Sequence, residues 1–198
     1  MDGVRVVLIG GTSHTGKSTT ARAVARRLGL PLASTDYLAR HPGRPWRTPE
    51  REVPPHVAEH YRTLSTPELI ASVLAHYRRL RPRVAALVRE ATADGAPGLV
   101  LEGSALWPAW TPGEPGTAAV WLTANPAAVR ERIRRESGYG QATPGERELV
   151  DAFTARALRF QELMGRELDR AGLRPLDAGD MDPERVADAV LAAVDAGR

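Results

Sequence analysis

Gly11-Thr12-Ser13-His14-Thr15-Gly16-Lys17-Ser18 is the stretch on which the reading of this chain turns. An apolar run, Val4 to Ile9, precedes it and reads as a buried parallel strand. Thr19 to Leu28 follows, with Ala21, Val24, Ala25 and Leu28 at helical spacing. Strand, glycine loop, Gly-Lys-Ser and helix, in that order, form the context of a phosphate-binding loop. Such a turn aims successive backbone N–H groups inward, and the helix adds its positive end, so together they form a nest for polyphosphate. Gly16 lets the backbone approach the ligand, Lys17 is a compact mobile charge, and the Ser18 hydroxyl suits a magnesium ion. Gly11, Thr12, Ser13, His14, Thr15, Gly16, Lys17, Ser18 and Thr19 are therefore the expected nucleotide contacts. His14 reads as a spacer in the loop rather than a catalyst. Lys17 is also the only lysine among 27 Lys+Arg residues. The planar fork of arginine does not replace an ammonium inside a closed loop. The competing reading, an ordinary tight turn, explains neither the flanking elements nor the lone lysine.

The rest of the composition narrows the field. The 198 residues suffice for one domain with a full core, and 42% hydrophobic with 26% charged residues is ordinary for a globular protein. The net charge is only +3, although the pI is about 9.8. With one lysine and 4 tyrosines, little titrates just above neutrality, so a small arginine excess keeps the charge positive to high pH. The high pI is thus a weak argument for nucleic-acid binding, and the charge is scattered. Cysteine is absent, which excludes disulfides, thiol nucleophiles and zinc–cysteine sites. No apolar run approaches a membrane span and no leader is evident, so the expected location is the cytoplasm.

Strands and helices alternate along the chain. Strands are expected at Val4–Ile9, Leu30–Ser34, Leu99–Leu101, Ala118–Leu122 and Leu173–Leu176. The first helix is expected over Lys17–Leu28, with Gly29 as its C-cap. Thr66-Pro67-Glu68 reads as a helix start with Thr66 as N-cap. Pro82 is expected to kink or break that helix, with a second stretch over Arg83–Ala93. Asn125 caps a helix carrying Arg130, Arg132, Arg134 and Arg135, a long helix runs from Glu146 to about Ala171, and a last one starts at Asp182-Pro183-Glu184. The pattern predicts a single α/β domain over residues 1–198 with a parallel sheet. Two segments stand apart: an irregular, proline-rich insert at about 37–63, with a short helix near Val57–Tyr61, and a glycine-rich lid at about 136–147.

Ligands of parallel sheets bind beyond the C-terminal strand ends. The phosphate loop, Asp36 and Glu102 all fall there. Phosphoryl transfer needs a carboxylate to orient the acceptor hydroxyl and take its proton, and an acid to hold magnesium or its waters. Asp36 is assigned the base role and Glu102 the metal-shell or acceptor-binding role. The bland alternatives are a helix cap for Asp36 and a satisfied strand end for Glu102. Arginines beside a lid stabilise the moving charge, against the alternative of a solvated basic face. Arg40, Arg44, Arg47, Trp46, Trp107 and Trp110 are candidates for a cationic, aromatic acceptor pocket, unless the tryptophans simply pack their loops onto the core. The five histidines show no metal-ligand spacing.

On Gly10 to Thr20, Ser34-Thr35-Asp36, Leu99 to Gly103, Asn125 to Arg135 and Leu176 to Glu184, nearly the whole chain resembles the small P-loop kinases of the nucleoside-monophosphate-kinase type. That group includes shikimate kinase, gluconate kinase, chloramphenicol phosphotransferase and AAA-type polynucleotide-kinase-like enzymes. Leu101-Glu102-Gly103 with Leu106-Trp107-Pro108 is also similar to part of 2-phosphoglycerate kinase. The resemblance implies a three-layer α/β/α fold with a five-stranded parallel sheet in the order 2-3-1-4-5, ATP and Mg2+ as cofactors, and a small-molecule acceptor. It implies Asp36 as base and Glu102 beside the phosphate loop. Arg132 then lies near the adenine, Arg134 or Arg135 (the latter counted as catalytic) reaches the phosphates, and the Asp177–Asp180 turn, including Gly179, touches adenine through its backbone. The insert at 37–63 matches no member of the group, so the acceptor stays open. Two other classes compete: an ATP-binding regulatory module and a kinase of nucleic-acid ends. A GTPase is excluded, because a guanine-reading Asn-Lys-x-Asp needs a second lysine.

Overall fold

Val6-Val7-Leu8-Ile9 has no polar face to turn to water, so its strand must be covered on both sides. The computed structural model describes residues 3–39, 42–49, 51–111, 113–179 and 181–196. Its elements are β1 (Val6–Gly11), α1 (Lys17–Leu28), β2 (Leu32–Ser34), α2 (Pro55–Thr63), α3 (Thr66–Thr92), β3 (Leu99–Glu102), β4 (Thr117–Thr123), α4 (Pro126–Glu136), α5 (Pro144–Arg170), β5 (Leu176–Asp177) and α6 (Pro183–Ala196). The strands form one parallel sheet in the order β2-β3-β1-β4-β5, as the resemblance implies. Side chains alternate across β1. Val7 and Ile9 pack with Val24 of α1 and Val190 of α6, whereas Val6 and Leu8 pack with Val84 and Val88 of α3. A further apolar cluster joins α2, α4 and α5 through Tyr61, Ile133, Leu149 and Phe153. No described helix is long and apolar enough to cross a membrane.

Several boundaries differ from expectation, each for a local reason. β1 runs two residues later than predicted, because Gly10 and Gly11 stay in register with Trp121 and Leu122 of β4. The last strand shrinks to Leu176–Asp177, since the Leu173 N–H turns back to the Leu168 carbonyl at 2.9 Å to close α5. The cap of α3 is Ser65, not Thr66. The Ser65 N–H donates to the Glu68 carboxylate at 2.8 Å, completing a capping box. A second capping box, Thr143 with Glu146, starts α5 at Pro144 rather than at Glu146. Pro82 does not break α3, which continues as one helix of 27 residues. Ile70 and Val73 before it and Val84 and Val88 after it are buried on separate clusters, and that packing holds the helix through the missing N–H. The segment after α4 is a turn tied to α5. Arg147 donates to the Tyr139 and Gly140 carbonyls at 3.1 and 3.0 Å, and the Tyr139 hydroxyl donates to Asp151 at 2.8 Å.

Candidate active site

The loop from β1 to α1 curls around one point. Gly16 caps α1 in the left-handed region at φ 85°, where an added Cβ would meet nothing. The glycine is there for its backbone angle, not for lack of space. The Thr15 hydroxyl donates to the Thr12 carbonyl at 3.0 Å, and the Lys17 ammonium donates to the same carbonyl at 2.6 Å. Thr12 turns its own hydroxyl outward, donating to the Ala157 carbonyl of α5 at 3.0 Å. Lys17 is buried, and burial lowers its pKa from the usual 10.5, against the pull of Glu102 and Asp36. An ammonium has three protons to donate, and one backbone carbonyl takes only one of them. The remaining capacity faces a cleft of about 430 Å³ that also contains Ser18, Asp36, Glu102 and Arg44.

Glu102 ends β3 beside Ile9 of β1 and Ser34 of β2. It is 5% exposed, and its Oε1 accepts the Ser18 hydroxyl at 3.2 Å. Two oxygen donors at a phosphate loop suit magnesium, which takes few protein ligands and keeps waters and substrate phosphates. No group of three or more His, Asp or Glu side chains with metal-holding geometry occurs among the described residues. Asp36 sits in a short 3-10 turn, residues Thr35–Tyr37, whose N–H acceptor is the Ser34 hydroxyl at 3.3 Å. Asp36 is therefore not the cap, and its exposed carboxylate faces the cleft. Gly103 allows this turn to approach: at φ 149°, a Cβ there would stand 1.8 Å from Thr35 Oγ1.

His14 is more than a spacer. It is the only described non-glycine residue at positive φ, 65°. Its side chain is 4% exposed, with Nε2 3.1 Å from Glu136 Oε2 at the end of α4. The other Glu136 oxygen pairs with Arg44. The contact with His14, with help from Arg44, holds the Glu136 carboxyl below its usual range. On the other side of the loop, Arg132 donates to the His14 carbonyl at 3.0 Å and to the Gly179 carbonyl. It walls a second recess with Thr19, Arg135, Met181 and Pro183. The Gly179 N–H in turn donates to Asp177 Oδ1 at 2.9 Å.

Some expected site residues lie elsewhere. Trp46 is buried on Phe153 with ring centroids 4.9 Å apart, and Trp107 is buried on Phe160 at 5.1 Å. Neither lines the cleft with Asp36. The loop after β3 folds into a 3-10 turn, residues Pro108–Trp110, that drops its indoles between α3 and α5. Arg134 stacks on Tyr139 at 4.7 Å and faces neither the cleft nor the recess. Arg135 borders the recess with a side chain 71% exposed, 3.7 Å from Glu131. Arg40 and Asp180 lie outside the described residues.

Other cleft residues were missed: His76 and Tyr77 of α3, Ser104, Glu136, and Phe153 and Arg156 of α5. Burial pushes the Tyr77 hydroxyl up to about 12 and His76 down, the latter with help from Arg79. One of these carried a readable signal. Leu149, Phe153, Arg156 and Phe160 share the buried face of α5, so a charge falls on an apolar stripe.

No family model matches the sequence, and no curated protein matches it. Solved structures do. A gluconokinase from Sinorhizobium meliloti 1021 aligns at TM-score 0.53 over 98% of this chain and 92% of its own, with 19% identity. A shikimate kinase from Aquifex aeolicus vf5 aligns at TM-score 0.54 over 97% of each chain, with 15% identity. The chain has the fold of the small P-loop kinases. At such identities the likeness is one of fold, and function rests on the site. In a P-loop kinase fold the cleft described above lies at the C-terminal end of the sheet, with the phosphate loop at its centre.

Proposed function

We propose that the protein is a phosphotransferase that moves the γ-phosphate of MgATP to a hydroxyl, or a phosphate, of a small-molecule acceptor. One observation carries the reading: a buried ammonium, Lys17, with the Thr12 carbonyl as its one hydrogen-bond acceptor among the described residues, in one cleft with Asp36 and Glu102. The loop N–H groups and Lys17 bind the phosphates. Ser18 and Glu102 hold Mg2+, which neutralises charge on the β- and γ-phosphates when bound. The recess walled by Arg132 and the Gly179 carbonyl suits the nucleobase. Asp36 orients the acceptor hydroxyl. The acceptor's hydroxyl oxygen forms the new bond to the γ-phosphorus, the bond from that phosphorus to the ADP oxygen breaks, and Asp36 takes the hydroxyl proton. Arg135 supplies charge from the last turn of α4, next to the segment at 136–147, and residues 37–63 frame the acceptor side of a single domain. The protein works in the cytoplasm on a small metabolite, not on a membrane or on nucleic acid.

Activity is measured as acceptor-dependent ADP release across sugars, nucleosides, glycerates and antibiotics. Lys17→Ala abolishes turnover and weakens MgATP binding. Asp36→Asn slows transfer with MgATP binding intact. Full activity of Lys17→Ala would falsify the reading. MgATP binding without transfer to any acceptor would favour a regulatory module instead.

A further inference from the structure

Glu136, the last residue of α4, borders three cavities: the cleft, the recess walled by Arg132, and a third between the insert and the turn after α4. His14, Gly16 and Thr19 also border both the cleft and the recess, so the crossing between the two runs past Glu136. A polyphosphate with its base in the recess and its end at Lys17 takes that crossing. A carboxylate beside it repels such a chain. Two bases keep the carboxylate there. One Glu136 oxygen stands 3.1 Å from His14 Nε2, and the other pairs with Arg44 of the insert. His14 is buried in the loop and fixed by it. The Arg44 and Glu136 side chains are 53% and 41% exposed, and an ion pair so open to water contributes little. The backbone of the insert has its own ties: the Tyr61 hydroxyl donates to the Gly43 carbonyl at 2.9 Å, and Arg51 donates to the Arg44 carbonyl at 3.2 Å. The Arg44 guanidinium can therefore change partner while its loop stays in place.

A second observation names the other partner. Arg44 borders the cleft together with Lys17, Ser18 and Asp36, and its positive charge works against the charge of the Lys17 ammonium. Two cations that face one space disfavour each other until an anion joins them. Glu136 answers Arg44, while Glu102 and Asp36 pull on Lys17. A terminal phosphate would answer both cations at once. It carries roughly two negative charges at neutral pH against one for a carboxylate, and its oxygens match the guanidinium fork.

We propose that Glu136 is a resident competitor of the terminal phosphate, and that Arg44 leaves Glu136 for that phosphate when MgATP binds. Arg44 is then a phosphate-binding residue supplied by the insert, and Glu136 keeps only its contact with His14. The exchange separates ATP from ADP, because the shorter chain does not reach the space that Arg44 shares with Lys17. The inference rests on the phosphotransferase reading above.

The test uses the full chain and two probes, MgADP and the magnesium complex of the non-hydrolysable β,γ-imido analogue of ATP. Calorimetry measures affinity, and NMR follows the Arg44 guanidinium, whose signal is identified by its loss in Arg44→Gln. The analogue shifts that signal, and MgADP leaves it nearly in place. Arg44→Gln weakens the analogue by about tenfold or more and MgADP by less than about threefold, and Arg44→Lys keeps part of the preference. Glu136→Gln tightens the analogue by about three- to tenfold, and most of that gain disappears when Arg44 is also Gln. The proposal is overturned if Glu136→Gln weakens the analogue, or if its gain is as large without Arg44 as with it. It is equally overturned if Arg44→Gln, folded by circular dichroism, weakens both nucleotides alike, or if the analogue leaves the guanidinium signal unmoved. A wild-type protein that binds neither nucleotide sinks the phosphotransferase reading itself. Nucleotide binding that depends on Lys17 and not on Arg44 sinks the exchange alone.

Discussion

The Ser18 hydroxyl and the Glu102 carboxylate meet at 3.2 Å although 84 residues separate them along the chain. The parallel pairing of β1 with β3 brings them together, since it sets Glu102 beside Ile9, just before the phosphate loop. The pair is a ready oxygen site for a divalent cation at the point where the phosphates enter.

Glu102→Gln keeps the shape of that site and removes its charge. MgATP affinity is expected to fall by about tenfold or more, while affinity for ATP with the metal chelated stays level or improves. Calorimetry with and without EDTA measures both. Equal losses in the two conditions would mean that Glu102 has no part in metal binding.

Lys17 gives a prediction in pH. Its pKa in the fold lies below the 10.5 of the free side chain, chiefly through burial. Between the two values the unfolded chain holds a proton that the folded chain has released, so this group makes stability rise with pH across that window. Below the window the free protein carries the cost of a buried ammonium. Lys17→Met removes that cost. Its Tm is expected to exceed that of the wild type at neutral pH, with the gap closing toward pH 10.5, while MgATP binding is lost. A lower Tm for Lys17→Met would show that the ammonium holds the empty loop together.

Glu136 also makes stability rise with pH, but in the acid range and through a favourable contact rather than a burial cost. His14 and Arg44 hold its pKa below the usual 4.5, so its contribution is present above that value and disappears as pH falls through the lowered one. Glu136→Gln is expected to lower Tm at pH 7 and to match the wild type in acid. It should also speed amide exchange around Arg44 to Trp46, which the ion pair holds against the loop. Unchanged exchange there would rule out that coupling.

Gly103 tolerates no side chain. An alanine would combine a left-handed backbone angle with a Cβ 1.8 Å from Thr35 Oγ1. A loss of about 3 kcal/mol or more is expected from strain and overpacking together. Urea unfolding of Gly103→Ala measures it, and a loss under about 1 kcal/mol would mean that the turn bearing Asp36 moves aside freely.

Pro82 lies on the exposed side of a continuous helix. Pro82→Ala restores the N–H that the ring lacks and removes its clash with the preceding turn. The variant should be more stable by about 1–3 kcal/mol, read from urea unfolding. A destabilised variant would assign Pro82 a packing role instead.

Local signals carried far along this chain. The alternation of strands and helices, the phosphate loop and the helices starting at Lys17 and after Asn125 follow from short-range patterns with strong physical causes, whereas the strand order came from the resemblance to the small P-loop kinases. Glu102 was legible because it closes an apolar strand. The tryptophans were not, because Trp46 and Trp107 depend on how two long loops fold back, and composition says nothing about that. Pro82 was misread because a propensity was set against tertiary packing, and packing prevailed. Arg156 was hidden among many arginines until its helix face was considered. Glu136 could not be found at all from spacing, since its partners His14 and Arg44 come from distant parts of the chain.

The lone lysine has a practical consequence. Every other side-chain cation in the chain is an arginine or a histidine, so Lys17 is the sole ε-amine. Burial keeps more of it in the neutral, nucleophilic form than an exposed lysine would show. An amine-acylating reagent small enough to enter the cleft would therefore tag one side chain in the whole molecule, and protection of that tag would report directly on occupancy of the phosphate loop.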